Sequence, residues 1–209
     1  MRMRAMMGVA AGALLAASPV AAQAWDSPTF FSSAPPEDIG VFLTFPDGGD
    51  VGFMGIWRQG GSIGLGIRAG FTEFGDAGNV LLGAEFYGGL GYLLGGTPLE
   101  AAWYSGVGAT FGDGADHYRV PLGVSVGMPL GTQGVRIRPY LLPRAVLDLV
   151  VLDDAAGDDT STEVDFALDL GADVAIGDRL ILKAGSTLTD EQIFGVGLTW
   201  RMTRGVAIR

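Results

Sequence analysis

Few residues in this chain have the types and spacing to do chemistry. The only histidine, His117, follows Asp116. A histidine beside a carboxylate can activate a hydroxyl, but only with an oriented nucleophile within hydrogen-bond reach. The nearest serine in strand-pairing terms, Ser105, falls on the opposite parity, so His117 reads as a solvated residue at a strand end beside an acidic turn. The run Asp153-Asp154-Ala155-Ala156-Gly157-Asp158-Asp159-Thr160 concentrates the carboxylates that hard cations take. It lacks the alternating acidic spacing of a calcium loop and reads as a solvated charge run, with weak calcium binding as the sharper alternative. Gly64-x-Gly66 and Gly106-x-Gly108 are not phosphate cradles, because no helix follows to aim its N-terminus at an anion. No Walker, zinc or haem signature is present, and no metal or cofactor is expected.

The third set is larger and mixes both signs. Arg136, Arg138, Arg144 and Asp148 share one parity of a segment, as do Asp165, Asp169 and Asp173 in another, and Arg68, Glu85, Glu100, Arg119 and Lys183 occupy equivalent positions elsewhere. Such residues meet only if strands place them on a common face, since alternate side chains of a strand point to opposite sides.

The elements that would do this are legible. After a Pro/Ser-rich lead over 25–38, which reads as an extended linker, ten period-two segments run approximately 39–45, 51–58, 62–71, 80–93, 100–111, 117–129, 135–151, 163–176, 179–188 and 192–202. Gly, Asp, Pro and Thr clusters separate them. No stretch sustains the spacing of an amphipathic helix. In 62–71, Ile63, Leu65, Ile67, Ala69 and Phe71 oppose Ser62, Gly64, Gly66, Arg68 and Gly70. Pro139 and Pro143 fall on the apolar side of their segment and each removes a ladder donor, which predicts a bulge or irregularity.

A soluble barrel with an apolar core would alternate in the same way, so other features decide which face meets water. Several segments reach the length of about 9 to 11 residues that a tilted membrane-spanning strand needs. Aromatic residues of the apolar face gather at segment ends, with Phe45, Phe71, Phe111, Tyr118, Phe166 and Phe194 at one rim and Trp57, Tyr92, Trp103 and Trp200 at the other. Residues 1–24 combine a basic head (Arg2, Arg4), an apolar run and an Ala22-Gln23-Ala24 ending, the three regions of a secretory signal cleaved after Ala24. That leaves 185 of the 209 residues, with net charge −12, enough for a single domain and too acidic to favour nucleic acid. There is no cysteine, so neither disulfides nor thiolate metal sites are available.

These readings converge on an all-β, single antiparallel up-and-down transmembrane barrel over 39–202, with ten strands (eight as the alternative), both termini on the inner side and a short tail over 203–209. The closing segment Phe194-Gly195-Val196-Gly197-Leu198-Thr199-Trp200-Arg201-Met202 resembles the C-terminal assembly signal of small bacterial outer-membrane barrels of the OmpA and OmpX type. The resemblance implies a narrow lumen filled by charged side chains, recognition by the barrel-assembly machinery, and contact with outer-membrane lipids and lipopolysaccharide.

The expected lumen network comprises Arg68, Glu85, Glu100, Arg136, Arg138, Arg144, Asp148, Asp165, Asp169, Asp173 and Lys183. Buried charges persist only when paired, so a balanced set braces the wall and leaves the lumen largely occluded. The expected role is non-enzymatic, structural or in envelope interactions. Twelve inward glycines, among them Gly64, Gly195 and Gly197, would empty volume and keep open a narrow channel or small-ligand transporter. A secreted soluble barrel binding an apolar ligand, with its faces reversed, is the other alternative.

Overall fold

A computed structural model describes residues 27–46, 51–74, 77–93, 97–112, 115–131, 134–152, 159–189 and 192–202. The signal peptide, the carboxylates at 153–158 and the tail 203–209 lie outside the described residues.

The strands are β1 (Asp38–Pro46), β2 (Gly52–Gln59), β3 (Gly64–Phe74), β4 (Ala77–Tyr92), β5 (Glu100–Gly112), β6 (Ala115–Gly127), β7 (Leu130–Gly131), β8 (Val135–Leu152), β9 (Asp159–Ile176), β10 (Leu180–Leu188) and β11 (Gln192–Arg201). Each long strand pairs antiparallel with its neighbours in sequence, β6 pairs β8, and β1 pairs β11 through nine consecutive residues. The ten long strands therefore form a closed up-and-down barrel, and among the described residues there is no helix. The two-residue β7 continues the β6 edge alongside β8, after a break at Pro129, which has no N–H to give.

Pairing follows the prolines less severely than expected. β8 pairs β9 in one unbroken register from Val135↔Ile176 to Leu152↔Asp159, so Pro139 and Pro143 make no bulge there. On the β6 side the register is also constant, but pairing is interrupted between Gly123↔Arg144 and Val126↔Leu141, opposite Pro143. The register shift falls instead at Gly89/Gly91, where Gly91 has φ +79°, a left-handed conformation that glycine adopts without a Cβ clash.

The two faces are sorted as the alternation requires. Leu65 and Val107 are exposed on the outside of the cylinder, whereas Asp169 and Glu85 are fully buried inside it. The reversed arrangement of a soluble barrel is not found. At one rim Phe45 and Phe194 stand directly opposite in register, ring centroids 6.2 Å apart, and Phe111 meets Tyr118 edge-on at 6.4 Å. At the other, Ile39 is flanked in register by Trp57 and Trp200.

The core lies within the lumen. One cluster gathers Phe42, Met54, Ile56 and Leu81 around Phe30, and a second gathers Tyr87, Ala102, Tyr104 and Leu142 around Phe31. Both central rings come from the segment expected as an extended linker. Residues 27–33 do not run free of the barrel but are buried in its bore, because an adjacent pair of aromatics gains far more from an enclosed apolar lining than from water.

Candidate functional site

The lumen is organised around three buried groups on the wall. Glu85 on β4 accepts from Arg58 Nε on β2 at 2.7 Å and from Arg68 Nε on β3 at 2.7 Å, and Tyr104 on β5 donates to it at 3.2 Å. Two guanidiniums thus share one carboxylate, and the Tyr104 hydroxyl adds a third donor. Asp169 on β9 accepts from Arg144 Nε on β8 at 3.2 Å and from the Thr187 hydroxyl on β10 at 2.8 Å. Lys183 on β10 lies 3.0 Å from Asp38 of β1 and 3.8 Å from Asp173 of β9.

The N-terminal segment threads between these three. The Thr29 carbonyl accepts from Arg58 at 2.6 Å and from Arg68 at 3.1 Å, and the Phe30 carbonyl accepts from Arg58 at 3.0 Å and Lys183 at 3.2 Å. The Phe31 carbonyl accepts from the Ser125 hydroxyl at 3.0 Å. In the other direction, Thr29 donates its N–H and its hydroxyl to Asp169, at 3.0 and 2.7 Å. A backbone with no sheet partner of its own thereby has its polar groups met by wall side chains, as burial demands.

Phe30 carries φ +50°, uncommon for a residue with a bulky side chain. The turn of the chain at that residue accompanies the separation of the two adjacent rings into different clusters. Phe30 stacks on Phe42 with centroids 4.2 Å apart, while Phe31 tilts against Tyr87 at 5.2 Å and Tyr104 at 5.1 Å, with the Arg58 guanidinium 5.8 Å from its ring centre.

Three of the inward glycines are explained by these rings. A Cβ on Gly195 would stand 2.6 Å from the Phe30 ring, one on Gly197 2.0 Å from Phe42, and one on Gly64 2.0 Å from Tyr87. At these three positions the volume that glycine vacates is occupied by an aromatic ring rather than by a channel.

Toward the other rim, Arg119 on β6 makes a two-point contact with Asp148 on β8 at 2.6 and 2.9 Å. His117 is not a solvated rim residue. It is buried on the inward face, with its Nδ1 3.9 Å from Asp148, and stands opposite Thr110 of β5 in register. An odd-numbered position in β6 points inward throughout, and the strand continues far enough past His117 to cover it. Among the described residues no hydrogen bond joins either ring nitrogen to a hydroxyl. Among the described residues no group of three or more His, Asp and Glu side chains is placed to hold a metal ion.

Of the eleven network residues read from the sequence, Arg68, Glu85, Arg144, Asp148, Asp169, Asp173 and Lys183 are buried in the bore. Glu100 and Arg138 form a half-exposed pair at 3.4 Å, Asp165 is half-buried, and Arg136 is exposed. Alternation alone does not mark Arg58, which binds both Glu85 and the threaded segment, nor Asp38, Thr29, Phe30 and Phe31. Arg58 was hidden because Met54 and Ile56 share its face while Phe53 and Trp57 occupy the other, so β2 is apolar on both sides and its parity is silent. The one available signal for the segment was two adjacent phenylalanines in an otherwise Pro/Ser-rich lead.

No family model matches this chain, and no curated protein matches it. Among solved structures, it is similar to a KdgM porin, with 11% identity, 79% of this chain and 99% of that chain covered, and a TM-score of 0.42. LpxR from Salmonella typhimurium shares 8% identity over 79% of this chain and 100% of that one, TM-score 0.42. A de novo designed transmembrane β-barrel shares 12% identity over 81% of this chain and 98% of that one, TM-score 0.37.

Proposed function

We propose that this protein is an exported, non-enzymatic barrel of the bacterial outer membrane, of the small OmpA and OmpX kind, whose lumen is closed by its own N-terminal segment. The observation that carries this reading is the pair Phe30 and Phe31, both fully buried at the centre of a cylinder whose outside is apolar. An outward belt bounded by aromatic rims suits a lipid bilayer, where every backbone group must find its partner inside the closed sheet. Cleavage after Ala24 would make Trp25 the N-terminus, two residues ahead of Ser27, where the threaded segment begins. Contact with membrane lipids and lipopolysaccharide, and insertion by the barrel-assembly machinery, belong to the same reading. The role is structural or one of envelope interaction, since a stopped bore has little to transport.

The test is single-channel recording of the refolded mature protein in planar bilayers, alongside heat-modifiable gel migration as the check that a closed barrel has formed. A shifted band with no stable conductance is the expected result. A large, persistent conductance from folded native protein overturns the reading.

A further inference from the structure

The way the N-terminal segment is held points to a binding site in its own right. We infer that the lumen wall is a peptide-binding site, selective for an uncharged extended segment with two adjacent aromatic side chains, and that residues 27–33 occupy it as a releasable ligand. The inference rests on the plugged-barrel reading above and goes beyond it, because a plug could equally be a permanent part of the core.

The decisive feature is how the charges are paired. Every cation that reaches the segment also holds a carboxylate of the wall: Arg58 and Arg68 hold Glu85, and Lys183 holds Asp38. Asp169, which accepts from Thr29, keeps Arg144 and Thr187. The segment itself, Ser27-Pro28-Thr29-Phe30-Phe31-Ser32-Ser33, carries no charge and makes no ion pair. Its departure therefore leaves no charge in the bore without an opposite partner, the outcome that makes removal of one member of a buried pair so costly.

What the wall recognises is backbone and shape. Three successive carbonyls, Thr29 to Phe31, meet fixed donors from β2, β3, β6 and β10, and the two rings enter separate apolar sockets. Residues 34–37 join the segment to β1, and cleavage after Ala24, as proposed above, would leave its other end untethered, so that it could leave without unfolding a strand.

The experiment uses the mature chain lacking residues 25–34 and a blocked synthetic peptide of residues 27–36, labelled for fluorescence anisotropy. Barrel formation is checked by heat-modifiable migration. The folded truncated barrel is expected to conduct where the full-length protein does not, to bind the peptide, and to be closed by it. The peptide with F30S and F31S should bind at least about tenfold more weakly, since burying one phenylalanine is worth more than a factor of ten. A folded truncated barrel that neither conducts nor binds the peptide, or that binds both peptides equally, overturns the inference.

Should the truncated chain not fold, the full-length protein carries the same test. The ideal Cβ of Gly185 lies 3.4 Å from Cβ of Pro28, near disulfide spacing, and the chain has no other cysteine. In the full-length F30S/F31S protein, open events are expected to appear, and adding P28C and G185C should abolish them on oxidation and restore them on reduction. A folded F30S/F31S protein as silent as native, or openings indifferent to the lock, sinks the proposal. Conductance from native protein would instead count against the occluded-barrel reading.

Discussion

Asp169 receives both the backbone N–H and the hydroxyl of Thr29, a residue 140 positions earlier in the chain, and holds Arg144 with its other oxygen. One carboxylate therefore joins the closing half of the barrel to the segment buried in its bore. Stability of the barrel and retention of the segment are coupled through such shared groups, and they can be separated by substitution.

Glu85 is the sole carboxylate bonded to both Arg58 and Arg68 among the described contacts. Glu85→Gln leaves two buried guanidiniums facing a neutral amide, and breaking a buried pair in this way costs about 3–5 kcal/mol. The expected outcome is a marked fall in the urea midpoint of the refolded barrel, followed by tryptophan fluorescence. A midpoint unchanged from native would mean the arginines are satisfied by the segment carbonyls alone.

Gly195→Val should act on the segment and leave the strands intact. Its Cβ would stand 2.6 Å from the Phe30 ring, an overpacking that costs about 1–3 kcal/mol and is relieved most easily by moving that ring. Limited proteolysis is expected to cut within the N-terminal segment faster than in native protein, with the gel shift retained. Gly55→Ala, whose new methyl group meets nothing nearer than 3.9 Å, should cut at the native rate.

Val107 lies midway along β5 between Trp103 and Phe111 and is half exposed on the outer face. In a membrane-spanning barrel, Val107→Arg places a guanidinium at the mid-depth of the bilayer, at a cost of about 2–4 kcal/mol. The folded fraction in lipid vesicles should drop sharply, with Val107→Leu close to native. Equal folding of the two variants would place that face in water.

Two ion pairs nearer the ends of the barrel differ in burial, which predicts unequal effects. Asp148, buried against Arg119 at 2.6 Å, should lose several times more stability on change to Asn than Glu100 loses on change to Gln. Glu100 meets Arg138 at 3.4 Å in partial contact with solvent, where such a pair is worth about 0–1 kcal/mol. Paired denaturation curves at low and high salt separate them, since added salt screens the exposed pair more.

The strands were legible in the residues because period-two alternation is local: β3, β5 and β9 declare their faces one residue at a time, and turns of Gly, Asp and Pro mark their ends. The same local logic put Arg68, Asp169, Asp173 and Lys183 inside. It was silent for Arg58, whose strand is apolar on both faces, and it misplaced His117, whose exposure depended on how far the strand ran beyond it.

Alternation thus determined the barrel, its two faces and most of the charged lining, since a strand's sidedness is set by its own sequence. Only the tertiary structure decided what fills the bore. A segment without periodicity carries no mark of its destination, and the sockets for Phe30 and Phe31 are assembled from five strands, β1, β2, β4, β5 and β8, that meet only when the ring closes.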